Sequence, residues 1–219
     1  MGAVITISGA VGGIGTSTLA YAVARQRPAR ALLIDAQLSG APLDLLTGIE
    51  TEPGTRWHQI HVSSAAIEAS TILSALPAAG EVAILSSSRL GVVQPIALTH
   101  LVEATRRVCD LVVVDIDPRS PVIDLLQPDL RVVTLPATIL GIGAVAGTVA
   151  ETAELVIMRS MCEDFLPKTL THYVPHPVLG VVEQERMVWQ SLRARQAPPD
   201  RSSVMQVAAR ISERVLDAA

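Results

Sequence analysis

A chain of 219 residues, 49% hydrophobic and 17% charged, carries enough apolar material for one sizeable core and too little charge for disorder. Aromatic residues make up only 2%, so the core must be aliphatic, and the formal net charge of −4 argues against a surface that binds DNA directly. Cys109 and Cys162 stand apart without metal or redox spacing, as buried thiols in a reducing compartment do. The longest apolar run, Thr138 to Ala150, is too short to span a bilayer, and no basic leader precedes the first apolar run. One soluble cytoplasmic domain over 1–219 is expected.

In chain order, Val4-Ile5-Thr6-Ile7 reads as a strand that meets a loop holding Gly9, Gly12, Gly13 and Gly15, followed by an alanine-rich helix to Ala24. Ala31 to Asp35 is an apolar run closed by an acid, a buried parallel strand by pattern. A short glycine-bracketed helix over Gly40 to Gly48 and a polar connector, Glu52-Pro53-Gly54-Thr55-Arg56-Trp57, come next. A helix is expected from Ser63 or Ser64 to Leu76, a strand at Val82 to Leu85, and a helix from Pro95 to Val108. Leu111 to Asp115 is again an apolar strand ending in an acid. Further strands are expected at Arg131 to Leu135, Leu155 to Met158 and Val178 to Val182. Helices are expected over Thr138 to Glu151, Glu163 to Tyr173, Arg186 to Arg195 and Val204 to Leu216. The alternation predicts an α/β, doubly wound, mostly parallel seven-stranded sheet with helices on both faces and a ligand site at the strand carboxyl ends.

A strand, a glycine loop and a helix N-terminus in succession form an anion cradle, because the loop amides and the positive end of the helix dipole face the same point. Two motifs fit it. As a deviant phosphate-binding loop (Lys-Gly-Gly-x-Gly-Lys-Ser/Thr) it reads Val11-Gly12-Gly13-Ile14-Gly15-Thr16-Ser17, with Thr18 behind. Every glycine and the magnesium-binding serine are present, and both lysines are missing. As a dinucleotide fingerprint, Gly9-x-x-x-Gly13-Ile14-Gly15 fits short-chain dehydrogenases, with Asp35 as the ribose acid. The loop by itself leaves both open.

A short-chain dehydrogenase needs a tyrosine with a lysine following closely, and neither Tyr21 nor Tyr173 has one, since Lys168 is the single lysine among the 17 basic residues. The phosphate-loop reading gains from the acids: Mg²⁺ on a phosphate takes a hydroxyl, here Ser17, and water-mediated acids at neighbouring strand ends, here Asp35 and Asp115.

These segments together resemble the ParA/MinD-type P-loop proteins, and within them the CpaE/TadZ-like branch. The resemblance rests on Gly12 to Ala20, on Leu32-Leu33-Ile34-Asp35 with Gly40 to Gly48, on Glu52 to Trp57, on Asp110 to Asp115 and on Leu179 to Val182. It implies a nucleotide-responsive homodimer holding ATP or ADP with Mg²⁺ and positioning a Flp-type (tight adherence) pilus or secretion apparatus. The implied partners are a pilus or secretion ATPase and peripheral membrane machinery, and the implied address is a pole, a septum or the inner membrane face. Such proteins usually carry an N-terminal receiver-like domain, which 1–219 lacks. Active division-site or partitioning ATPases are the alternative within the same fold.

The departures bear on mechanism. Val11 and Thr16 replace the two lysines, each worth about 1.5–3 kcal/mol of charge-assisted hydrogen bonding. That loss falls hardest on the more charged transition state. Gln37 replaces the second acid of hydrolysing members. At most a slow ATPase is expected, with Asp35 and Gln37 nearest the chemistry and Arg119 as a replacement cation. Gly12, Gly13, Ile14, Gly15, Thr16, Ser17 and Thr18 would cradle the phosphates, and Arg159 and Glu183 would flank the base. Asp117 and Asp124 are candidate switch acids. The pairs His58/His61 and His172/His176 lack a third ligand and read as loop residues, and the last helix reads as core-packing rather than membrane-targeting.

Overall fold

The computed structural model describes residues 1–26, 30–37, 40–60, 68–87, 94–148, 152–158, 172–174 and 176–216. Its strands are β1 (Ala3–Gly9), β2 (Ala31–Ala36), β3 (Ala78–Ala79), β4 (Val82–Leu85), β5 (Leu111–Ile116), β6 (Leu130–Pro136), β7 (Glu154–Met158) and β8 (Val178–Val182). Its helices are α1 (Thr16–Ala24), α2 (Leu43–Thr47), α3 (Ala69–Ala75), α4 (Pro95–Thr105), α5 (Ile139–Thr148), α6 (Arg186–Arg193) and α7 (Ser203–Leu216), with a 3₁₀ turn over Trp57–Gln59.

The sheet has eight strands in the order β3-β4-β2-β5-β1-β6-β7-β8. All seven expected strands are present and parallel, and the eighth is the two-residue antiparallel β3, paired Ala78↔Ala83 and Ala79↔Val82. β2 and β5 are buried at every residue, which is why they read as unbroken apolar runs. β5 lies between β1 and β2, whereas the dinucleotide-binding fold sets its first two strands side by side. The dehydrogenase alternative therefore loses its architecture. From β1 the chain builds outward in one direction through β2 and β4, then returns through β5 and continues past β1 to β6. The crevice of that reversal opens at the carboxyl end of β1, where the glycine loop begins.

One sheet face packs Ile5, Ile7, Leu33, Val113 and Val132 against Leu19 and Val23 of α1 and Val207 and Ile211 of α7. α7 is thus a core helix, as expected, and it crosses β8 at Gly180, where an added Cβ would lie 2.8 Å from Val207. The opposite face carries two separate clusters. Val4, Leu32, Ile34, Val112 and Val114 pack with Leu98 and Leu101 of α4, and Val133, Leu135, Leu155 and Ile157 pack with Val145 of α5.

One expectation needs correction and one gains detail. α3 starts at Ala69 behind an extended Glu68 (φ −80°, ψ 94°), not at Ser63 or Ser64, which lie outside the described residues. The connector Glu52 to Trp57 is no mere linker. Arg56 is 8% exposed and its guanidinium donates to the Gly54 carbonyl at 3.0 Å, Ile49 at 3.0 Å, Glu52 at 3.3 Å and the Asp44 carboxylate at 3.3 Å. Next to it, Trp57 Nε1 donates to the Asp35 carbonyl at 2.7 Å, which ties the loop to the end of β2. Residues 159–171, with Arg159, Cys162 and most of the helix expected from Glu163, lie outside the described residues.

Arg56→Met should therefore lower stability by about 3 kcal/mol, because three carbonyls and one half-buried carboxylate lose their donor together. Urea unfolding checks this, with a surface control such as Arg107→Met expected within about 0.5 kcal/mol of the parent.

Candidate functional site

The site begins where β1 runs out. Ala10 donates to the Thr134 carbonyl at 2.8 Å, after which the chain leaves the sheet and turns through Gly13 (φ 78°) and Gly15 (φ 97°). Both sit in the left-handed region that side-chain-bearing residues avoid. An added Cβ on Gly12 or Gly13 would meet nothing within 4 Å, so the loop faces open space. Among the described residues, no amide from Val11 to Thr18 has a hydrogen-bond acceptor. The first intrahelical bond is Leu19 to the Gly15 carbonyl at 3.0 Å. Free amides and the positive end of α1 thus converge on one point, as anion binding requires.

Thr16 stands where the loop lysine would be, and its side chain turns down into the sheet. Its Oγ1 lies 2.6 Å from Thr134 Oγ1, and Thr134 in turn donates to the Ser8 carbonyl at 3.2 Å. Only the Thr16 amide faces the cradle. Thr134 was not singled out in the sequence, its one signal being a hydroxyl between the aliphatic residues Val132, Val133 and Leu135.

Asp35 and Asp115 are register partners on β2 and β5, and each is at most 2% exposed. Their surroundings differ. Asp35 Oδ2 accepts from the Leu43 amide at 3.1 Å, the Ser87 amide at 3.1 Å and Ser87 Oγ at 2.7 Å. Among the described residues, Asp35 Oδ1 accepts only the Gln37 amide, at 3.3 Å. Asp115 Oδ1 accepts from Gln37 Nε2 at 2.7 Å, and its Oδ2 is buried without a hydrogen-bond partner. Burial pushes the Asp115 carboxyl up to about 6, outweighing the pull of the Ser17 hydroxyl and the Gln37 amide, and the neighbouring Asp35 charge adds to the rise.

An unpartnered buried carboxylate oxygen beside a serine hydroxyl, at the mouth of a free-amide loop, is a hard-oxygen donor pair suited to Mg²⁺. Among the described residues no group of three or more His, Cys, Asp or Glu could hold a metal alone, so a cation here needs phosphate oxygens or water to complete its shell. The residues present fit a phosphate-bound Mg²⁺ on those terms.

The glycine loop opens sideways into a cleft of about 570 Å³. Ile14, Gly15, Thr18, Met158, Glu183, Val188 and Trp189 line it, and Trp189 is 58% exposed. Glu183 stands on its wall, its amide donating to Ser203 Oγ at 2.9 Å. Trp189 was not foreseen, although a tryptophan in a chain this poor in aromatics is a signal. Arg119 is not brought to the loop. It folds back on Asp117, donating from its amide at 2.8 Å, Nε at 3.2 Å and a terminal nitrogen at 3.3 Å, and lies over the sheet face opposite α1. That pairing lowers the Asp117 carboxyl below the usual range. Asp124 pairs with Arg131 at 2.7 Å. The position of Arg159 lies outside the described residues.

No family model matches the chain. The uncharacterized proteins Rv3660c and MT3760 of Mycobacterium tuberculosis, strains H37Rv and CDC 1551, are each 36% identical over 116 residues, 50% of this chain and 33% of theirs. The chain thus spans about a third of the length of the curated relatives it matches. The structural likeness runs over the whole chain. A ParA family ATPase from Chlorobium tepidum superposes with a TM-score of 0.75 at 14% identity, covering 99% of both chains. The cell division ATPase MinD of Pyrococcus furiosus gives 0.73 at 16% identity, covering 100% of both. The septum site-determining protein MinD of Pyrococcus horikoshii, solved in complex with Mg-ADP, gives 0.69 at 16% identity over 98% of this chain and 96% of that one. The fold is that of the ParA/MinD P-loop proteins.

Asp115→Asn should stabilise the ligand-free protein by about 1–2 kcal/mol, since it removes a buried charge with an unpaired oxygen while keeping an acceptor for Gln37. The same change should abolish any extra thermal stabilisation that Mg²⁺ adds on top of nucleotide. Melting curves with nucleotide, with and without Mg²⁺, read both effects.

Proposed function

We propose that this chain is an atypical ATP–Mg²⁺-binding positioning scaffold that binds nucleotide without turning it over at an appreciable rate. The observation that carries the reading is the run of acceptor-free amides from Val11 to Thr18, ending beside Ser17 and the unpaired Asp115 oxygen. Gly12 to Thr18 would hold the phosphates through main-chain N–H groups. Ser17 would ligate Mg²⁺ directly, Asp115 and Asp35 Oδ1 would hold its waters, and the base would enter the cleft against Trp189 and Glu183. Bound Mg²⁺ supplies positive charge that the missing lysines do not.

Slow or absent hydrolysis follows from the same residues. Thr16 is engaged under the loop with Thr134, Gln37 is engaged with Asp115, and Arg119 would have to leave Asp117 to reach a phosphate. None is placed to hold charge that develops only in the transition state. An active division-site or partitioning ATPase has no observation in its favour beyond the shared fold. The finer assignment rests on the resemblance to CpaE/TadZ-like proteins, carried by Glu52 to Trp57: a homodimer that localises a Flp-type pilus or secretion apparatus, through contact with its ATPase, at a pole, septum or inner membrane face. Among the described residues no helix is long and apolar enough to cross a membrane.

Calorimetric titration with ATP–Mg²⁺ tests the reading. Binding in the micromolar to millimolar range without measurable phosphate release supports it, and absence of heat at millimolar nucleotide ends it. Two variants sharpen the test. Trp189→Phe should remove a nucleotide-induced change in tryptophan fluorescence, because Trp57 is buried and anchored to Asp35. Thr16→Lys should tighten ATP–Mg²⁺ by roughly tenfold or more through one restored charge-assisted hydrogen bond.

A further inference from the structure

The two hydrophobic clusters on the sheet face opposite α1 leave a polar seam between them. Thr6 of β1 and Arg131 of β6 are register partners there, with Ser8 one step further along β1. Thr6 and Ser8 are each 1% exposed, at the centre of a sheet whose neighbouring residues on this face are aliphatic. Pro118, Ser120, Pro121 and Ile123, from the chain leaving Asp115, roof the seam and enclose a cleft of about 300 Å³.

Three observations show that this seam is not a satisfied part of the core. Thr6 Oγ1 is buried without a hydrogen-bond partner, which ordinarily costs about 1–3 kcal/mol. Arg131, its side chain 20% exposed, pairs with Asp124 through one nitrogen at 2.7 Å, out of a fork of roughly five N–H donors. Arg119 stands at the rim, its Nε and one terminal nitrogen on Asp117. The floor offers donors, and Asp124, its side chain 75% exposed, lines the cleft on the solvent side, where an entering anion would compete with it for Arg131.

We propose that this cleft is a second binding site, separate from the glycine loop, for a small molecule bearing a phosphate or carboxylate group. The guanidinium of Arg131 and the hydroxyls of Thr6 and Ser8 receive the oxyanion. A donor-rich floor selects an acceptor-only group, and a guanidinium fork selects a planar or tetrahedral oxyanion over chloride. The cleft volume, at the lower end of the range for ligand sites, limits the occupant to a few heavy atoms beyond the charged head. The inference stands on this seam alone and does not depend on nucleotide binding at the loop.

The test is a titration of the ¹⁵N-labelled 219-residue chain with inorganic phosphate and, separately, with succinate, at constant ionic strength and followed by NMR. Saturable shifts of the Ser8, Ser120 and Arg131 amides and of Arg131 Nε are expected. Phosphate and succinate distinguish the two head groups, and the Gly12 to Ser17 amides report anion binding at the glycine loop independently. Arg131→Gln should weaken the cleft response roughly tenfold or more and leave the loop response unchanged. Thr6→Val should also weaken it while melting no lower than the parent, because it removes an unpaired hydroxyl without changing side-chain shape. Shifts confined to the loop amides, shifts that follow ionic strength alone, or a cleft response of full strength in both variants would overturn the proposal.

Discussion

The carboxyl edge of the sheet turns on two acids held side by side. β2 and β5 pair in parallel with Asp35 opposite Asp115, so two buried carboxylates are neighbours in a site whose loop has no lysine. The fold separates their fates. Asp35 distributes its charge over three backbone amides and a serine hydroxyl, which stabilise a carboxylate in place of water. Asp115 receives the Gln37 amide, has the Ser17 hydroxyl beside it, and keeps one oxygen with no hydrogen bond in the ligand-free protein. One acid is architecture, and the other stands open to a ligand.

Asp35 also closes a circuit through the surface loops. Its carboxylate takes the Leu43 amide at the start of α2, Asp44 pairs with Arg56, and Trp57 returns to the Asp35 carbonyl. Arg56 gathers the Ile49, Glu52 and Gly54 carbonyls on the way. Such a ring has few soft degrees of freedom, because each member is fixed by a neighbour that is itself fixed. The wall beside the glycine loop is therefore preorganised, and the Arg56-Trp57 pair is its fastener.

On the loop itself, among the described residues, positive potential comes from main-chain amides and the α1 dipole. These are fixed partial charges that attract an anion without following charge as it moves between bonds. The Thr16 and Thr134 hydroxyls meet beneath the loop, and Thr134 donates in turn to the Ser8 carbonyl. The arrangement suits holding a phosphate more than transferring one, and both features trace to the same substitution.

The seven main strands and the glycine loop were legible in the sequence because their causes are local. A parallel strand buried on both faces must be an apolar run, a left-handed turn asks for glycine, and an acid ending each of two strands marks the edge where water is allowed back. β3 was not legible, since Ala78-Ala79 forms a strand only through the turn at Gly80 (φ 65°) that lays it against β4. The side-chain partners were hidden for a different reason. Gln37 with Asp115 and Thr16 with Thr134 join residues far apart in the chain, and only the strand order brings them together, as it sets Thr6 beside Arg131 in register. Residue type and spacing thus determined which groups were available at the edge of the sheet. Tertiary packing decided which of them were already satisfied, because a lone pair or an amide is open only when nothing folded beside it has taken it.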